Sequence, residues 1–259
     1  MTTIRKSGEI YSDFIVADFN DWLKLYKNNG SGIFLESKLS LNGAFNYAEP
    51  GSVASIKMKD GSVRIVAASY RRPNPQWDPS GNIIIFGLIN DVLVESLRYS
   101  YPVEWTSKNL GAFAIIPFDP SNNGYDDFIV LGEGDGRSVL YFKQTTDGFV
   151  DATEEKLGAV KTKMYESDKF VVFDANGDGK KDLMAFSYKN NIYSSGNGLF
   201  INQGDGVLKS VQLGGPELAD TIQIPIFTTN KDGSWKKFIG LYGVKLDGSQ
   251  LMTVKAWIK

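Results

Sequence analysis

Short apolar runs separated by polar, glycine-rich turns recur along the whole chain, and no stretch keeps the three-to-four-residue spacing of an amphipathic helix. The best-formed group reads Phe170-Val171-Val172-Phe173, then Leu183-Met184-Ala185-Phe186-Ser187-Tyr188, then Leu199-Phe200-Ile201-Asn202, the turn Gly204-Asp205-Gly206, and Val207-Leu208. It predicts four short strands joined as a meander. An earlier group repeats it with Ile115-Ile116-Pro117-Phe118, residues 128–131, Val139-Leu140-Tyr141-Phe142 and a turn at Asp147-Gly148. Fainter copies run through 13–18 and 23–26 before Gly30-Ser31-Gly32, and through 63–67 after Lys59-Asp60-Gly61-Ser62. A last copy pairs 222–227 and 238–242 across Asn230-Lys231-Asp232-Gly233 and ends in 252–258. Only 153–165 reads as helical, as a connector with one turn.

The loop between the first two strands of each group sets a ruler. Its ninth position falls at Asp13, Arg64, Asp127, Asp182 and, with one residue inserted, Lys237, at spacings of 51, 63, 55 and 55 residues. Five units of four strands, approximately 1–43, 44–97, 98–152, 153–214 and 215–259, predict one all-β domain over 1–259. The architecture expected is a β-propeller with five blades of four-stranded antiparallel sheets. The first unit opens almost at its second strand and the fifth ends at its third, so either Thr2-Thr3-Ile4-Arg5 completes the ring or the chain is part of something larger.

Chemistry concentrates in one of these loops. In Asp174-Ala175-Asn176-Gly177-Asp178-Gly179-Lys180-Lys181-Asp182, oxygen-bearing side chains stand at positions one, three, five and nine, with glycine at six for a sharp turn. Asp174, Asn176, Asp178 and Asp182, with the Lys180 carbonyl, make a hard-oxygen set suited to Ca²⁺ and poorly suited to zinc or copper. An ordinary Asp-Gly surface turn is the competing reading. The EF-hand's twelfth-position glutamate is replaced by Ala185, inside a run that reads as a strand, so the loop belongs to a β-hairpin. A second copy keeps Asp119, Ser121, Asn123 and Asp127, with Tyr125 at position seven, and has one carboxylate fewer, which predicts weaker calcium binding. Arg64 and Lys237 at the ninth position would repel a cation, so units two and five are expected to hold none.

Composition narrows the function. Histidine and cysteine are both absent, which removes imidazole acid–base chemistry, Ser-His-Asp and Cys-His nucleophiles, zinc fingers and disulfides. A net charge of −2 with no basic run lacks the footprint of a nucleic-acid binder. Residues 83–89 form the longest apolar run, far too short to span a bilayer. The amino terminus shows no signal-peptide pattern, and an extracellular or periplasmic mature form is the location expected. Gly132-Glu133-Gly134-Asp135-Gly136-Arg137-Ser138 lacks P-loop spacing and reads as a tight hairpin.

Taken together, residues 174–188 with 199–207, supported by 119–148 and 25–34, resemble the FG-GAP/VCBS repeat family of integrin α-chain heads, some fungal lectins and bacterial surface proteins. The resemblance covers two clear repeats and three faint ones. It implies a calcium-binding propeller used in adhesion or recognition, usually with six to eight blades, and the Phe-Gly and Gly-Ala-Pro words are not in register here.

A four-stranded meander puts the metal loops and Gly-Asp-Gly turns at one end, and the second hairpins and inter-unit connectors at the other. The latter end gathers Arg71, Arg72, Trp77, Tyr99, Tyr101, Trp105 and Tyr193 on proline-stiffened loops, the expected ligand-binding set. Trp22, Trp235 and Trp257 are expected in the core. The function expected is a non-enzymatic, calcium-stabilised module recognising a glycan or a protein surface. The alternatives are a propeller glycosidase or lyase using a carboxylate pair, and a protein-binding inhibitor or immunity-type partner.

Overall fold

The computed structural model describes residues 1–4, 11–18, 23–42, 50–69, 82–103, 105, 111–133, 138–164, 169–186, 198–211, 228–229, 235–236, 238–244 and 250–256. The chain divides into two compact units, Met1–Gly158 and Ala159–Lys259.

The first unit holds three sheets. β1 (Thr2–Ile4), β2 (Asp13–Ala17), β3 (Leu23–Asn28) and β4 (Phe34–Ser37) form a four-stranded antiparallel meander. Thr2–Ile4 is therefore the first strand of its own sheet, paired Thr2 to Ile15, and not a segment that closes a ring. β5 (Ser40–Asn42), β6 (Pro50–Lys57), β7 (Val63–Ser69), β8 (Asn82–Ile89) and β9 (Val92–Ser100) form the second sheet, ordered β5-β9-β8-β7-β6. Its last four strands are the expected meander, and β5 adds a parallel strand on its outer edge, Ser40 opposite Val92. β10 (Gly111–Phe118), β11 (Asp127–Glu133), β12 (Ser138–Gln144) and β13 (Phe149–Asp151) make the third, another antiparallel meander.

These sheets stack face to face, and the second shows why its strands read as continuous apolar runs. Ile83 and Ile85 of β8, with Val66 and Ala68 of β7, face a cluster containing Ala112, Ile115, Phe128 and Val130 of the third sheet. Ile84, Phe86, Ile65 and Ala67, the alternate residues, face Ile4, Ile15, Leu23 and Leu25 of the first. A strand buried on both faces has no polar side, so period-two alternation disappears. First strands stand beside one another: the Ser55 amide donates to Thr2 Oγ1 at 2.8 Å, and the Ile115 amide to Ser52 Oγ at 3.0 Å.

A short helix, α1 (Thr153–Lys156), and a 3-10 turn over Gly158–Val160 follow β13, and α2 (Lys161–Met164) opens the second unit. There β14 (Lys169–Phe173), β15 (Asp182–Phe186), β16 (Gly198–Asn202) and β17 (Leu208–Val211) repeat the antiparallel meander. The expected fifth four-stranded unit is instead two two-stranded ladders among the described residues. β18 (Thr228–Thr229) pairs with β19 (Trp235–Lys236), and β20 (Phe238–Val244) with β21 (Gln250–Ala256). No helix among the described residues is long and apolar enough to cross a membrane.

Candidate metal-binding loop

Loop 174–182 connects β14 to β15, and its shape follows from side chains that bond its own backbone. Asp174 accepts the Gly177 amide at Oδ1 (2.6 Å) and the Gly179 amide at Oδ2 (3.1 Å). Asn176 Oδ1 accepts from the Asp178 amide at 3.0 Å, and Asp178 Oδ1 from the Lys180 amide at 2.9 Å. Gly177 and Gly179 sit at φ of 82° and 87°, where a Cβ would be strained, and Gly179 is the turn glycine expected at position six.

Loop 119–127, between β10 and β11, repeats the design. Asp119 accepts the Asn123 amide at 3.0 Å and the Gly124 amide at 2.7 Å, and Asn123 Oδ1 accepts from Tyr125 N at 3.2 Å. Positive φ recurs at positions four and six, in Asn122 (51°) and Gly124 (89°). The Ser121 side chain is exposed and Tyr125 half-buried.

The ninth-position aspartates do something that spacing alone did not reveal. Asp182 is fully buried and accepts the Ala175 amide at Oδ2 (2.7 Å) and the Asn202 amide at Oδ1 (2.8 Å). Asp127 accepts the Gln144 amide at 2.8 Å and the Tyr141 hydroxyl at 2.7 Å, and Asp13 accepts the Asn28 amide at 2.9 Å. In all three sheets the carboxylate binds the last amide of the third strand. The first sheet keeps this bond although its metal loop is eroded, so the aspartate is a latch in its own right. Asn202 extends it, donating Nδ2 to the Lys181 carbonyl and accepting the Gly204 and Gly206 amides at Oδ1. An amide-bearing residue ends the third strand in each copy (Asn28, Gln144, Asn202), and that recurrence was the available signal.

Burial pushes the Asp182 carboxyl above the usual carboxylate range, and the charges of Asp178 and Asp174 add to the rise. Asp178 is held below it, chiefly by the Lys180 amide and the Asn176 side chain. Among the described residues no three Asp or Glu side chains converge closely enough to cage an ion. The donors of 174–182 nevertheless fit a hard divalent cation. Most of these oxygens keep lone pairs beyond one amide bond, while Asp178 Oδ2 accepts from Asn176 Nδ2 at 3.1 Å and Lys180 Nζ at 3.4 Å, exposed contacts that an ion would replace.

The expected ligand-binding set does not hold together. Tyr101 and Trp105 are 6% and 1% exposed and lie in the core between the second and third sheets, with ring centroids 5.2 Å apart. The Tyr101 hydroxyl donates to the Ser69 carbonyl at 2.6 Å, and Trp105 covers Gly132 so closely that a Cβ there would meet its ring at 2.7 Å. Both placements correct the reading of an exposed connector: sheet stacking turns these two rings inward, while Val103 between them stays exposed. Tyr99 lies within β9, packs on Phe142 at 5.6 Å and accepts the Phe149 amide at 2.8 Å. Arg71, Arg72, Trp77 and Tyr193 lie outside the described residues, as do Trp22, Trp257 and Lys237. No protein-family model matches the sequence, and no curated protein matches it.

Proposed function

We propose that the chain is a calcium-stabilised recognition module of the β-propeller type, related in plan to FG-GAP/VCBS repeats, in which each meander is one blade. Ca²⁺ is held by the loop 174–182 through Asp174, Asn176, Asp178, the Lys180 carbonyl and Asp182. Its role is structural. Bound there, the ion would draw Asp174, Asp178 and Asp182 toward one centre, offset their charge and stiffen the β14–β15 hairpin, while Asp182 carries that rigidity to the β16–β17 turn through the Asn202 amide. The single observation behind this reading is the pre-formed loop, whose four donor side chains are already held at their positions by its own amides.

Recognition of a glycan or a protein surface is the activity consistent with stacked sheets that present loops at two ends and with a chain lacking histidine and cysteine. The test is thermal unfolding in calcium against chelator, run beside a glycan array and a pull-down. Calcium should raise the melting temperature, and an immobilised sugar or one macromolecular partner should be retained. Identical melting in calcium and chelator would remove the metal from the account.

A further inference from the structure

The loop 119–127 shares its backbone with 174–182 but is wired differently into its surroundings. Asp127, 4% exposed, gives one oxygen to the Gln144 amide and the other to the Tyr141 hydroxyl, outside the loop. In the other copy the matching oxygen of Asp182 turns back onto the loop's own second amide. Asp126 is also committed elsewhere: its Oδ2 accepts the Lys57 amide at 2.7 Å, and its own amide donates to the Lys57 carbonyl at 2.9 Å. Gln144 closes the arrangement, donating Nε2 to the Lys57 and Asp126 carbonyls (3.2 and 2.7 Å) and accepting the Lys59 amide at 2.6 Å. Only Asp119 remains as a carboxylate bonded to the loop's own amides.

Positive charge is already at hand. A Cβ on Gly124, the position-six glycine, would lie 3.9 Å from Lys57 Nζ, a cation brought by the neighbouring sheet. In loop 174–182 the ammonium present is the loop's own Lys180, 3.4 Å from Asp178 Oδ2 and half-exposed, so an incoming ion can displace it into solvent. Lys59 Nζ lies 5.9 Å from the centroid of the Tyr125 ring. Burial pushes the Asp126 carboxyl above the usual carboxylate range, the Asp119 charge adds to the rise, and the Lys57 amide and then its charge oppose it.

We infer that the loop 119–127 is not a calcium site but a bracket fastening the second sheet to the third, its Asp126 and Asp127 carboxylates engaged outside the loop and the Lys57 ammonium standing beside its turn. With one carboxylate turned to its own amides, the loop lacks the ligand charge a calcium site needs, and the ammonium beside its turn opposes a cation further. The sequence-based expectation of a weaker second calcium loop counted donors within the loop and left out what the neighbouring sheet brings to it. The contrast rests on the calcium reading of 174–182, but the bracket itself does not.

Terbium, a luminescent stand-in for calcium, separates the two, because Tyr125 lies in this loop and loop 174–182 contains no aromatic residue. Wild-type protein titrated with Tb³⁺ and excited at the tyrosine band should give the same emission as Tyr125→Phe. Lys57→Glu, which exchanges the ammonium for a carboxylate at an exposed position and keeps the backbone bonds, should gain at least several-fold in Tyr125-dependent emission. Tyr125-dependent emission in wild type that Asp119→Asn abolishes would overturn the inference, and no gain in Lys57→Glu would remove Lys57 from it. Calorimetric titration of Asp178→Ala with calcium reports separately on 174–182. Undiminished binding there would sink the calcium reading and leave the bracket standing.

Discussion

Asp182 and Asn202 are twenty residues apart in sequence and joined by a 2.8 Å hydrogen bond from the Asn202 amide to the buried carboxylate. The other carboxylate oxygen holds the Ala175 amide, so one side chain ties the start of loop 174–182 to the end of β16. A pure metal ligand would matter only when metal is bound. A latch matters always. Asp182→Ala strands two amides, each worth about 1–3 kcal/mol when buried and unpaired, so it should destabilise by about 2–5 kcal/mol even in chelator. Asp182→Asn keeps one acceptor and should lose roughly half as much. Denaturant unfolding in chelator is the measurement, and wild-type stability for Asp182→Ala there would refute the latch.

Asp178 supplies the opposite case, because its bonds are local and its side chain is exposed. Asp178→Ala should melt like wild type in chelator and fail to gain from calcium. For the wild type, calcium at about a hundred times its dissociation constant should add about 2.7 kcal/mol, provided it binds the folded state alone. Differential scanning calorimetry of both proteins across a calcium series checks slope and intercept together.

Trp105 and Gly132 form a matched pair across the second and third sheets. Trp105→Ala should destabilise by about 3–5 kcal/mol through the cavity it leaves. Gly132→Ala should cost about 1–3 kcal/mol, because three atoms of the indole ring lie within 3.1 Å of the new methyl. Since the alanine methyl would enter the space the indole vacates, the double variant should be more stable than the sum of the two losses implies. Strict additivity would mean the contact carries no coupling.

Tyr101 gives the fold an alkaline limit. Burial pushes its phenol above the ordinary range, so the folded state resists ionisation that the unfolded chain undergoes near pH 10. A raised folded pKa means a contribution fully present below the unfolded value and lost as pH rises past it. Wild-type stability should therefore fall between pH 9.5 and 11 more steeply than that of Tyr101→Phe, as about expected for one buried phenol. At pH 7 the variant should be less stable by about 0.5–1.5 kcal/mol, for the lost bond to the Ser69 carbonyl. Parallel alkaline profiles would contradict the assignment.

The strands were readable because turn chemistry brackets them. Phe170 to Phe173 anticipated Lys169–Phe173, and Gly204-Asp205-Gly206 marked the step from Gly198–Asn202 to Leu208–Val211. What escaped depends on partners distant in sequence. Ser40–Asn42 carries no periodic signal, and its pairing is set by Asp91, which accepts the Ser40 amide and pairs with Lys27. Tyr101 and Trp105 look like exposed loop aromatics until Ala112 and Gly132 of another sheet make room for them. At the loops, residue types marked the oxygen-bearing side chains, but not which oxygens the backbone already claims. Asp127 and Asp182 match in sequence, yet Tyr141 takes an oxygen of one and Ala175 an oxygen of the other.

Gln144 offers a test in which the sign of a pH effect is set by geometry. Its Nε2 donates to two carbonyls, those of Lys57 and Asp126, while Oε1 accepts the Lys59 amide. Gln144→Glu replaces the donor with an oxygen facing those two carbonyls. The ionised form is repelled there, and the protonated form can still donate one bond. Its folded pKa should therefore rise above the unfolded value near 4.3. A raised value means stability is retained below about pH 4 and lost as pH climbs through the folded pKa. Relative to wild type, Gln144→Glu should thus be most impaired at neutral pH, by about 2–4 kcal/mol, and should recover on acidification. Gln144→Ala should show a loss of similar size that does not vary with pH. Unfolding curves of the three proteins at pH 4 and pH 7 decide the matter, and a Glu variant that loses ground on acidification would show that the amide does not donate to those carbonyls.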